Sequence, residues 1–426
     1  MLNMELIRQD PDGVRTALMK RMPEVDLESI LALDRQAGAL QRRVDDLRAK
    51  RTTSSKEIGD LRRRGMDVAE ATMSVASLKR DLEQAEALQE DVRKELRELM
   101  ELLPNLPAEY VPAGGKESNQ VVKVWGEKPP HLPAGKDHVA MCEHLGLVDF
   151  RRGAKLGGTG SWVYVGKGAA LEWALLNFFC SEHYKDGYTF MLPPHMLLPE
   201  CGYSAGQFPR FRDDVYHIAP ESSDRGLFLL PTSETALLNY FRDEIINADQ
   251  LPYKTFSYTP CYRRESGAYR SEERGTIRGH QFNKVEMFQF VTPEDSERAL
   301  RELVQRVESL MEKLGLHYQT SLLAAGDASA SMRVTYDVEV WLPSLGIYKE
   351  VSSASWAGDY QARRAMIRYR PGHGQKARYV HTLNASGLAT SRVFPAILEQ
   401  CQLPDGSLRV PEPLQAWVGT DVIRSR

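Results

Sequence analysis

The sequence predicts an α+β protein in which an N-terminal antiparallel α-helical coiled-coil hairpin precedes an antiparallel β-sheet flanked by helices. Residues 27–103 hold two runs of apolar residues at heptad spacing, separated by a turn at Gly65. A stretch rich in proline and glycine at 104–133 reads as a linker. The strand-like runs that follow do not alternate regularly with helices, which favours an antiparallel sheet. We therefore expect an N-terminal domain over 1–112 and a sheet domain over 113–426.

Length and composition narrow the class of protein. With 426 residues the chain is long enough for two domains and a sizeable core. Its formal net charge of −3 gives no overall field for a polyanion, so nucleic-acid contacts have to come from local basic clusters. Five scattered cysteines without a CxxC pair argue against zinc, and no apolar run of about 18 residues occurs. We expect a cytoplasmic protein without zinc or a membrane span.

The predicted hairpin is basic toward its tip. The cations that we single out there are Arg51, Lys56, Arg62, Arg63 and Arg64. Such a hairpin can be a dimerisation element or a spacer, and a solvated face would explain its charge. The positive sign of that charge favours a phosphate backbone as the partner.

Residues 261–288 combine strand-like alternation with charge among apolar neighbours. In the first run, Arg263 and Glu265 fall on one face and Arg264 on the other. In the second run, Glu286 shares a face with two phenylalanines. Charges in such surroundings are expensive to bury without partners. The stretch is either a hairpin with internal salt bridges or a ligand floor, with arginine for an anion and carboxylates for amine or amide donors.

A second polar stretch, TSE, precedes a helical run. Thr232 or Ser233 could simply cap that helix, and Glu234 would be favourable in its first turn. In isolation this structural interpretation is sufficient.

Two further stretches have oxygen donors or cations in suggestive places. In the run YKEVSS, alternation puts Glu350 and Ser352 on one face, where their oxygens suit Mg²⁺, although Glu350 could equally pair with a lysine across strands. The run NASGLATSR predicts the start of a helix with Ser386 as its cap and Arg392 just inside. A helix N-terminus of this kind favours phosphate.

Taken in order, these stretches resemble the motifs of bacterial-type seryl-tRNA synthetases, which are class II aminoacyl-tRNA synthetases. The runs similar to the family's motifs 1, 2 and 3 are GYTFMLPP (187–194), CYRRESGAYRSEERGTIRGHQFNKVEMF (261–288) and TLNASGLATSR (382–392). Shorter runs that match in order are TSE (232–234), TYDVEVWLP (335–343), YKEVSSAS (348–355) and DYQARR (359–364). The likeness runs from the hairpin to about residue 402.

The resemblance implies a serine–tRNA ligase with a class II catalytic sheet. Such an enzyme activates L-serine with ATP and Mg²⁺ to seryl-adenylate and pyrophosphate. It then transfers serine to the 3′ end of tRNA(Ser), and we expect it to charge tRNA(Sec) as well. Motif 1 implies a homodimer interface. The hairpin would grip the long variable arm of tRNA(Ser), and the loop at 266–275 would lie near the acceptor end.

The resemblance also implies residue roles. The catalytic set would be Arg263 on the α-phosphate, Arg392 on the γ-phosphate, and Glu350. The ATP-binding residues would be Arg263, Arg264, Glu265, Glu350, Val351, Ser352, Ser353 and Arg392, with Glu265 on the adenine amino group and Glu350 and Ser353 on Mg²⁺. The serine-binding residues would be Thr232, Ser233, Glu234, Arg263, Glu286 and Ser386. Among these, Thr232 and Glu234 would take the ammonium, and Glu286 and Ser386 the hydroxyl.

Four features depart from the family's usual pattern. They are Trp356, Ala385, Pro395 and the run DASASMRV at 327–334. We expect Pro395 to kink or restart its helix, because proline removes a backbone donor. The overall prediction is an active synthetase with an altered pocket wall. The alternatives are a second copy that tolerates a seryl-adenylate-mimicking antibiotic, a paralogue with a non-tRNA acceptor, and a catalytically inactive binding module.

Overall fold

The computed structural model describes residues 1–129, 135–219, 226–265 and 274–425. The chain divides into two compact units. The smaller unit comprises Leu2–Met19 and Pro23–Pro104, and the larger comprises Met1, Lys20–Met22 and Asn105–Arg426. The predicted domain boundary between residues 112 and 113 stays a prediction.

The smaller unit is a helical hairpin with two short helices before it. Its helices are α1 (Met4–Gln9), α2 (Pro11–Met19), α3 (Leu27–Arg63) and α4 (Ala69–Leu102). Helix α3 begins after Asp26, whose carboxylate accepts a hydrogen bond from the Ser29 N–H and so caps the helix. Val44 of α3 packs on Leu82 and Ala85 of α4. Gly65 has a φ of 70° in the turn between them, which suits glycine. The predicted hairpin is confirmed.

The larger unit mixes helices and strands. Its helices are α5 (His138–Leu145), α6 (Phe150–Gly157), α7 (Lys167–Lys185), α8 (Pro199–Ala205), α9 (Glu234–Leu238), α10 (Ser296–Leu314), α11 (Tyr360–Ala365), α12 (Thr390–Gln400) and α13 (Glu412–Val418). Its strands are β1 (Gln120–Trp125), β2 (Val148–Asp149), β3 (Val163–Tyr164), β4 (Thr189–Met191), β5 (Met196–Leu197), β6 (His217–Ile218), β7 (Leu227–Leu229), β8 (Ile245–Asn247), β9 (Tyr253–Tyr262), β10 (Gln281–Val291), β11 (Tyr318–Leu322), β12 (Val334–Leu342), β13 (Ile347–Gly358), β14 (Arg368–Arg370), β15 (Arg378–Tyr379), β16 (His381–Ala389), β17 (Leu408–Arg409) and β18 (Val422–Ile423).

The central sheet of the larger unit has the strand order β1-β11-β12-β13-β16-β10-β9-β4. Every neighbouring pair in it is antiparallel except β4 and β9. Helices α7, α10 and α12 contribute to one apolar core with Val285 and Met287 of β10. The alternate residues Phe288 and Phe290 join a second core with α8, α9 and α11. The predicted α+β fold with an antiparallel sheet flanked by helices is confirmed. Glu286 alternates in step with the two phenylalanines and so lies on their face of β10.

The expectation of a linker over 104–133 is wrong for its described part. Ala108 and Val111 are buried in the main core, and β1 forms the edge of the central sheet beside β11. Asn105 fixes the entry, since its side-chain amide donates to the carbonyls of Ser331 and Ala357 at 2.9 and 2.7 Å. Prolines end the preceding helix, but they do not prevent the chain from packing on the sheet.

Three general features bear on the composition. All five cysteines are free thiols. Within the described ranges, no helix is long and apolar enough to cross a membrane. No group of three or more His, Cys, Asp or Glu side chains suited to a metal ion occurs among the described residues.

Candidate active site

A cavity of about 540 Å³ in the larger unit is lined in part by the end of α8, the segment that follows β9 and the first turns of α9 and α12. A narrower pocket of about 50 Å³ shares Arg263, Glu265, Arg278 and Arg392 with it. The residues predicted from the sequence that line one or both spaces are Thr232, Glu234, Arg263, Glu265, Glu350, Val351, Ser386 and Arg392. Those that do not line them are Arg264, Ser233, Glu286, Ser352 and Ser353. Residues far apart in sequence are thus gathered around one space.

Strand β9 ends at Tyr262, so the prediction that Arg263–Glu265 continue the strand is wrong. The Arg263 N–H still reaches the His280 carbonyl at 2.9 Å, but the Arg264 N–H turns to the carbonyl of Asp214. Glu265 has a φ of 48°, which breaks the alternation. Arg263 and Glu265 nevertheless both line the cavity, whereas Arg264 is exposed and donates to the Asp213 carbonyl.

The cations at this end of the cavity lie close to carboxylates or rings. The Arg278 Nε and Glu265 Oε2 are 2.5 Å apart. The Arg263 guanidinium lies 5.2 Å from the centroid of the Phe282 ring, and its Nε donates to the Pro231 carbonyl. The internal salt bridge expected in 261–288 is therefore present and lines the cavity, and the ligand floor stays a prediction. The loop predicted at 266–275 lies outside the described residues from 266 to 273.

The TSE stretch sits at the start of α9, where the side chain of Ser233 does not cap the helix. Ser233 has helical dihedrals, and its hydroxyl instead hydrogen-bonds the Thr259 hydroxyl at 2.7 Å. The Thr232 Oγ1 accepts from the Lys284 ammonium at 2.6 Å and from the Glu234 N–H at 3.4 Å. Burial, followed by the charge of Glu286, raises the pKa of Glu234 to about 7. This carboxyl is thus poised between its two protonation states near neutral pH.

Glu286 is a buried carboxylate held by three donors. The Lys284 ammonium lies 2.7 Å from its Oε2, and the Ser386 hydroxyl donates to the same oxygen at 3.4 Å. The Asn384 amide donates to its Oε1 at 3.0 Å. These donors fix the carboxylate and offset its charge, so it remains an acceptor.

Ser386 lies in the middle of β16, and the prediction that it caps a helix is wrong. Strand β16 pairs with both β10 and β13, so its backbone groups are engaged in the sheet through Ala389. Helix α12 begins at Thr390, which still places Arg392 in its first turn as predicted. Ser386 lies opposite Glu286 as a strand residue.

Helix α12 neither ends nor restarts at Pro395. The ring nitrogen of Pro395 cannot donate to the carbonyl of Ser391 four residues earlier. The buried hydroxyl of Thr276 donates to that carbonyl instead, at 3.1 Å. The expectation of a restart is wrong because a side chain from another segment replaces the missing donor.

A β-bulge in β13 changes the oxygen cluster predicted at 350–353. Glu339 pairs with Glu350 and Val338 with Ser352, so Val351 is an extra residue in β13. The Ser353 hydroxyl therefore lies 3.4 Å from Glu350 Oε1 and also donates to Asp337. The Ser352 hydroxyl donates to the Ser386 carbonyl at 2.6 Å. The grouping of Glu350 with Ser352 is wrong, and the grouping of Glu350 with Ser353 matches the geometry.

Two carboxyls near this bulge differ in electrostatics. Burial alone would raise the pKa of Glu350, but the charges of Arg392, Arg263 and Lys284 hold it below its ordinary value. Arg392 Nη1 lies 3.2 Å from Glu350 Oε1. Burial and the neighbouring charge of Glu350 instead raise the pKa of Asp337 well above its usual range. The arrangement offers one ionised carboxylate beside a hydroxyl.

Sequence reasoning missed three polar groups in this region. Lys284 stands two residues before Glu286, so the same strand alternation could have found it. Asp337 lies opposite Ser353 in the β12–β13 register, which only the pairing reveals. Gln361, which donates to Glu234 Oε1 at 2.7 Å, comes from α11 and gives no local signal.

Only some of the residues that depart from the family's usual pattern line the cavity. Trp356 and Ala385 belong to the main core and do not line either space. Ser329 and Ser331, from the run DASASMRV, do line the larger cavity. The unusual pattern therefore reaches the cavity through that run.

Comparison with known proteins gives the family of the chain. The family model of the tRNA synthetase class II core domain (G, H, P, S and T) matches residues 216–401, and that of the seryl-tRNA synthetase N-terminal domain matches residues 1–107. The chain is 52% identical to Serine--tRNA ligase 2 of Clostridium acetobutylicum, covering 99% of this chain and 100% of the relative. It is 40% identical to Serine--tRNA ligase of Akkermansia muciniphila, covering 100% and 99%.

A solved structure is similar over the whole chain. Seryl-tRNA synthetase from Pyrococcus horikoshii complexed with ATP has a TM-score of 0.91 at 31% identity, covering 100% of both chains. These relatives give no support to a non-tRNA acceptor, an inactive module or antibiotic tolerance. The resemblance seen in the motifs is thus confirmed, and the chain belongs to the class II seryl-tRNA synthetase family, the serine–tRNA ligases.

Proposed function

We propose that this serine–tRNA ligase carries out both half-reactions in the cavity that Arg263, Glu234 and Arg392 line. The observation that carries the proposal is the gathering of arginines and carboxylates around one space. Arg263 and Arg392 line the cavity with Glu234, and they also line the narrower pocket with Glu350. Glu286 accepts a hydrogen bond from Ser386, which lines the narrower pocket. A nucleoside triphosphate and an amino acid with a hydroxyl side chain together require this pairing of charges.

In the first half-reaction, a carboxylate oxygen of serine attacks the α-phosphorus of ATP. A new P–O bond forms, the bond to the β-phosphate oxygen breaks, and pyrophosphate leaves. Arg263 would stabilise the charge that develops on the α-phosphate, and Arg392 would bind the γ-phosphate. Glu265 would accept from the adenine amino group. The chain supplies position and electrostatic stabilisation, and no side-chain nucleophile is required.

Binding would exchange partners within the site. Within the chain itself, Arg392 forms a salt bridge with Glu350, and Arg278 forms one with Glu265. Phosphate oxygens would replace carboxylate at Arg392, and the adenine amino group would share Glu265. The Pyrococcus horikoshii relative was solved in complex with ATP, which supports ATP as a ligand of this chain.

Serine would be read by two carboxylates. Glu234 and Thr232 would receive its ammonium, and Glu286 with Ser386 would bind its hydroxyl. Alanine would leave the buried Glu286 acceptor without that donor, which penalises it strongly. Two residues predicted to bind serine remain. Arg263 would lie where the carboxylate of serine meets the α-phosphate, and Ser233, whose hydroxyl hydrogen-bonds that of Thr259, would hold its neighbours in place.

The oxygen donors of Glu350 and Ser353 fit a magnesium ion. Mg²⁺ is usually held by one or two carboxylates and shares the rest of its coordination with substrate phosphates. The 3.4 Å contact between the two side chains brings their oxygens together on the side of Arg392. When bound, the ion would neutralise phosphate charge, while Asp337 orients the Ser353 hydroxyl. The backbone of Val351 and Ser352, at the bulge in β13, would complete the set of residues that bind ATP.

In the second half-reaction, a 3′-terminal ribose hydroxyl of the tRNA attacks the acyl carbon and AMP leaves. The cations near the tip of the smaller unit would hold tRNA(Ser), and equally tRNA(Sec). Arg51, Lys56, Arg62, Arg63 and Arg64 are all exposed. Their phosphate contacts would be additive and sensitive to salt.

A homodimer would form through motif 1. Helix α7, strand β4 and the residues after it expose several large apolar side chains, which are Trp173, Tyr184, Phe190, Leu192 and Met196. Such a concentration of apolar surface favours a protein interface. Light scattering on the purified chain tests this part, and a monomer at micromolar concentration would contradict it.

Two assays test the activity. Serine-dependent ATP–pyrophosphate exchange should proceed with the full-length chain, and serine should be charged onto purified tRNA(Ser). Glu286→Gln should raise the KM for serine while leaving the KM for ATP nearly unchanged. Absence of exchange at saturating serine and ATP would refute activation, and exchange without charging would refute the tRNA step alone.

A further inference from the structure

Gln361 stands behind the carboxylate that the proposed function assigns to the substrate ammonium. Its side chain is 1% exposed, and its Nε2 donates to Glu234 Oε1 at 2.7 Å and to the Ala205 carbonyl at 3.2 Å. Its Oε1 accepts from the Thr382 hydroxyl at 2.7 Å. One amide thereby joins α11 to α8, α9 and β16.

The orientation of this amide follows from its neighbours. The Ala205 carbonyl can only accept, so the nitrogen has to face it and Glu234. The oxygen is then left for the hydroxyl of Thr382, which is fully buried. Each end of the Gln361 amide is therefore fixed by a partner that the fold itself supplies.

Glu234 needs such a fixed donor because the other charged groups around it exert opposing electrostatic forces on its carboxylate. Glu286 repels its charge, whereas Lys284 and Arg263 attract it. The Lys284 ammonium also donates a hydrogen bond to the Thr232 hydroxyl, so it competes with the substrate ammonium for that acceptor. A carboxylate left free there could turn toward Lys284 and Arg263. The 2.7 Å bond from Gln361 holds one oxygen and leaves the other for a ligand.

We propose that Gln361 is a positioning residue of the serine site, whose amide aims the Glu234 carboxylate at the substrate ammonium. The inference rests on the proposed function, because it assigns Glu234 its ligand. Gln361 does not line the cavity and acts through Glu234. Asn384 does the same for Glu286 at the hydroxyl end, and so provides a matched control.

The test compares two ligands on two variants. The probes are a non-hydrolysable seryl-adenylate analogue and the same molecule without its α-amino group. Gln361→Met keeps the length of the side chain and removes the donor, and should weaken binding of the first probe about 10- to 100-fold, as for a hydrogen bond to a charged group. The second probe should lose less than about threefold. Asn384→Leu should weaken both probes alike, because both retain the hydroxyl.

Equal losses of both probes on Gln361→Met would show a merely structural role and overturn the proposal. If that variant does not fold, Thr382→Val frees the amide oxygen without touching Glu234, and should show the same preference for one probe on a smaller scale. The pH profile of kcat/KM for serine gives a further readout, since the hydrogen bond from Gln361 lowers the pKa of Glu234. Its midpoint should move upward in Gln361→Met. Failure of the wild-type chain to activate serine would instead refute the proposed function.

Discussion

The hairpin and the cavity both concentrate positive charge, but they hold it in opposite ways. Near the hairpin tip, Arg51, Lys56 and Arg62 are exposed to solvent. In the cavity, Arg278, Lys284 and Arg392 each lie within 3.2 Å of a carboxylate oxygen. The exposed charges are interchangeable and screened by salt, whereas each cavity charge has a fixed partner and a particular place. One region should therefore respond to substitution in small additive steps, and the other in large individual ones.

The largest effect should come from Arg263 in the cavity. Arg263→Gln removes the charge next to the proposed position of the α-phosphate, and kcat for serine-dependent exchange should fall by about 10²- to 10³-fold. Arg264→Gln is the matched control, because that exposed side chain reaches the Asp213 carbonyl outside the cavity. Its loss should stay below about tenfold. Similar losses for both variants would remove the distinction between the cavity and its surroundings.

The hairpin should show a graded effect on tRNA alone. In Arg62→Ala/Arg63→Ala/Arg64→Ala, the slope of log affinity for tRNA(Ser) against log salt should flatten by about 0.7–0.9 for each phosphate that the protein no longer neutralises. Serine-dependent exchange should be unchanged. Lys94→Ala/Arg97→Ala, also exposed but far from the tip in sequence, is the control. An unchanged slope in the triple variant would mean that the tip does not bind tRNA.

Protonation should affect the cavity near neutral pH. Glu234 has a pKa of about 7, raised by burial and by Glu286. Because the substrate ammonium binds the ionised carboxylate, kcat/KM for serine should fall about tenfold for each pH unit below that value. Glu234→Gln should lower kcat/KM and remove this step. A flat wild-type profile between about pH 6 and 8 would contradict the role given to Glu234.

The smallest effect concerns stability. Thr276→Val leaves the Ser391 carbonyl without its donor, so the free energy of unfolding should decrease by about 1 kcal/mol. In a Pro395→Ala background the restored N–H can serve that carbonyl, and the same substitution should cost less. Denaturant midpoints of the four proteins measure this coupling. Identical costs in both backgrounds would show that Thr276 does not compensate for Pro395.

Local periodicity accounts for the parts of the fold that were foreseen. Heptads place α3 and α4 within residues 27–103, and strand alternation puts Glu286 in phase with two phenylalanines. Local patterns fail where pairing between distant segments decides. The place of Ser386 inside β16 and the packing of Asn105 on the sheet depend on partners far away in sequence. The bulge at Val351 depends on the register with the preceding strand β12, which alternation along β13 alone does not reveal.

The site shows the same limit. The resemblance to a family named eight residues that line the cavity or the narrower pocket. It also paired Glu350 with Ser353, where alternation had paired Glu350 with Ser352. It gave no role to Lys284 or Gln361, which act on other side chains. Strand alternation with Glu286 could have found Lys284. Gln361 is recognisable only when its partner Glu234 is known, because no local pattern in α11 identifies it.

The bulge at Val351 gives β13 one residue more than its register with β12 needs. An in-frame loss of that single codon would remove the bulge and still leave Ser352 opposite Val338 and Ser353 opposite Asp337. An in-frame insertion beside it would instead shift the strand by one residue and turn Ser353 to the other face. Among natural variants of this gene, we therefore expect substitutions at codon 351 to be tolerated and single-codon insertions there to be lost.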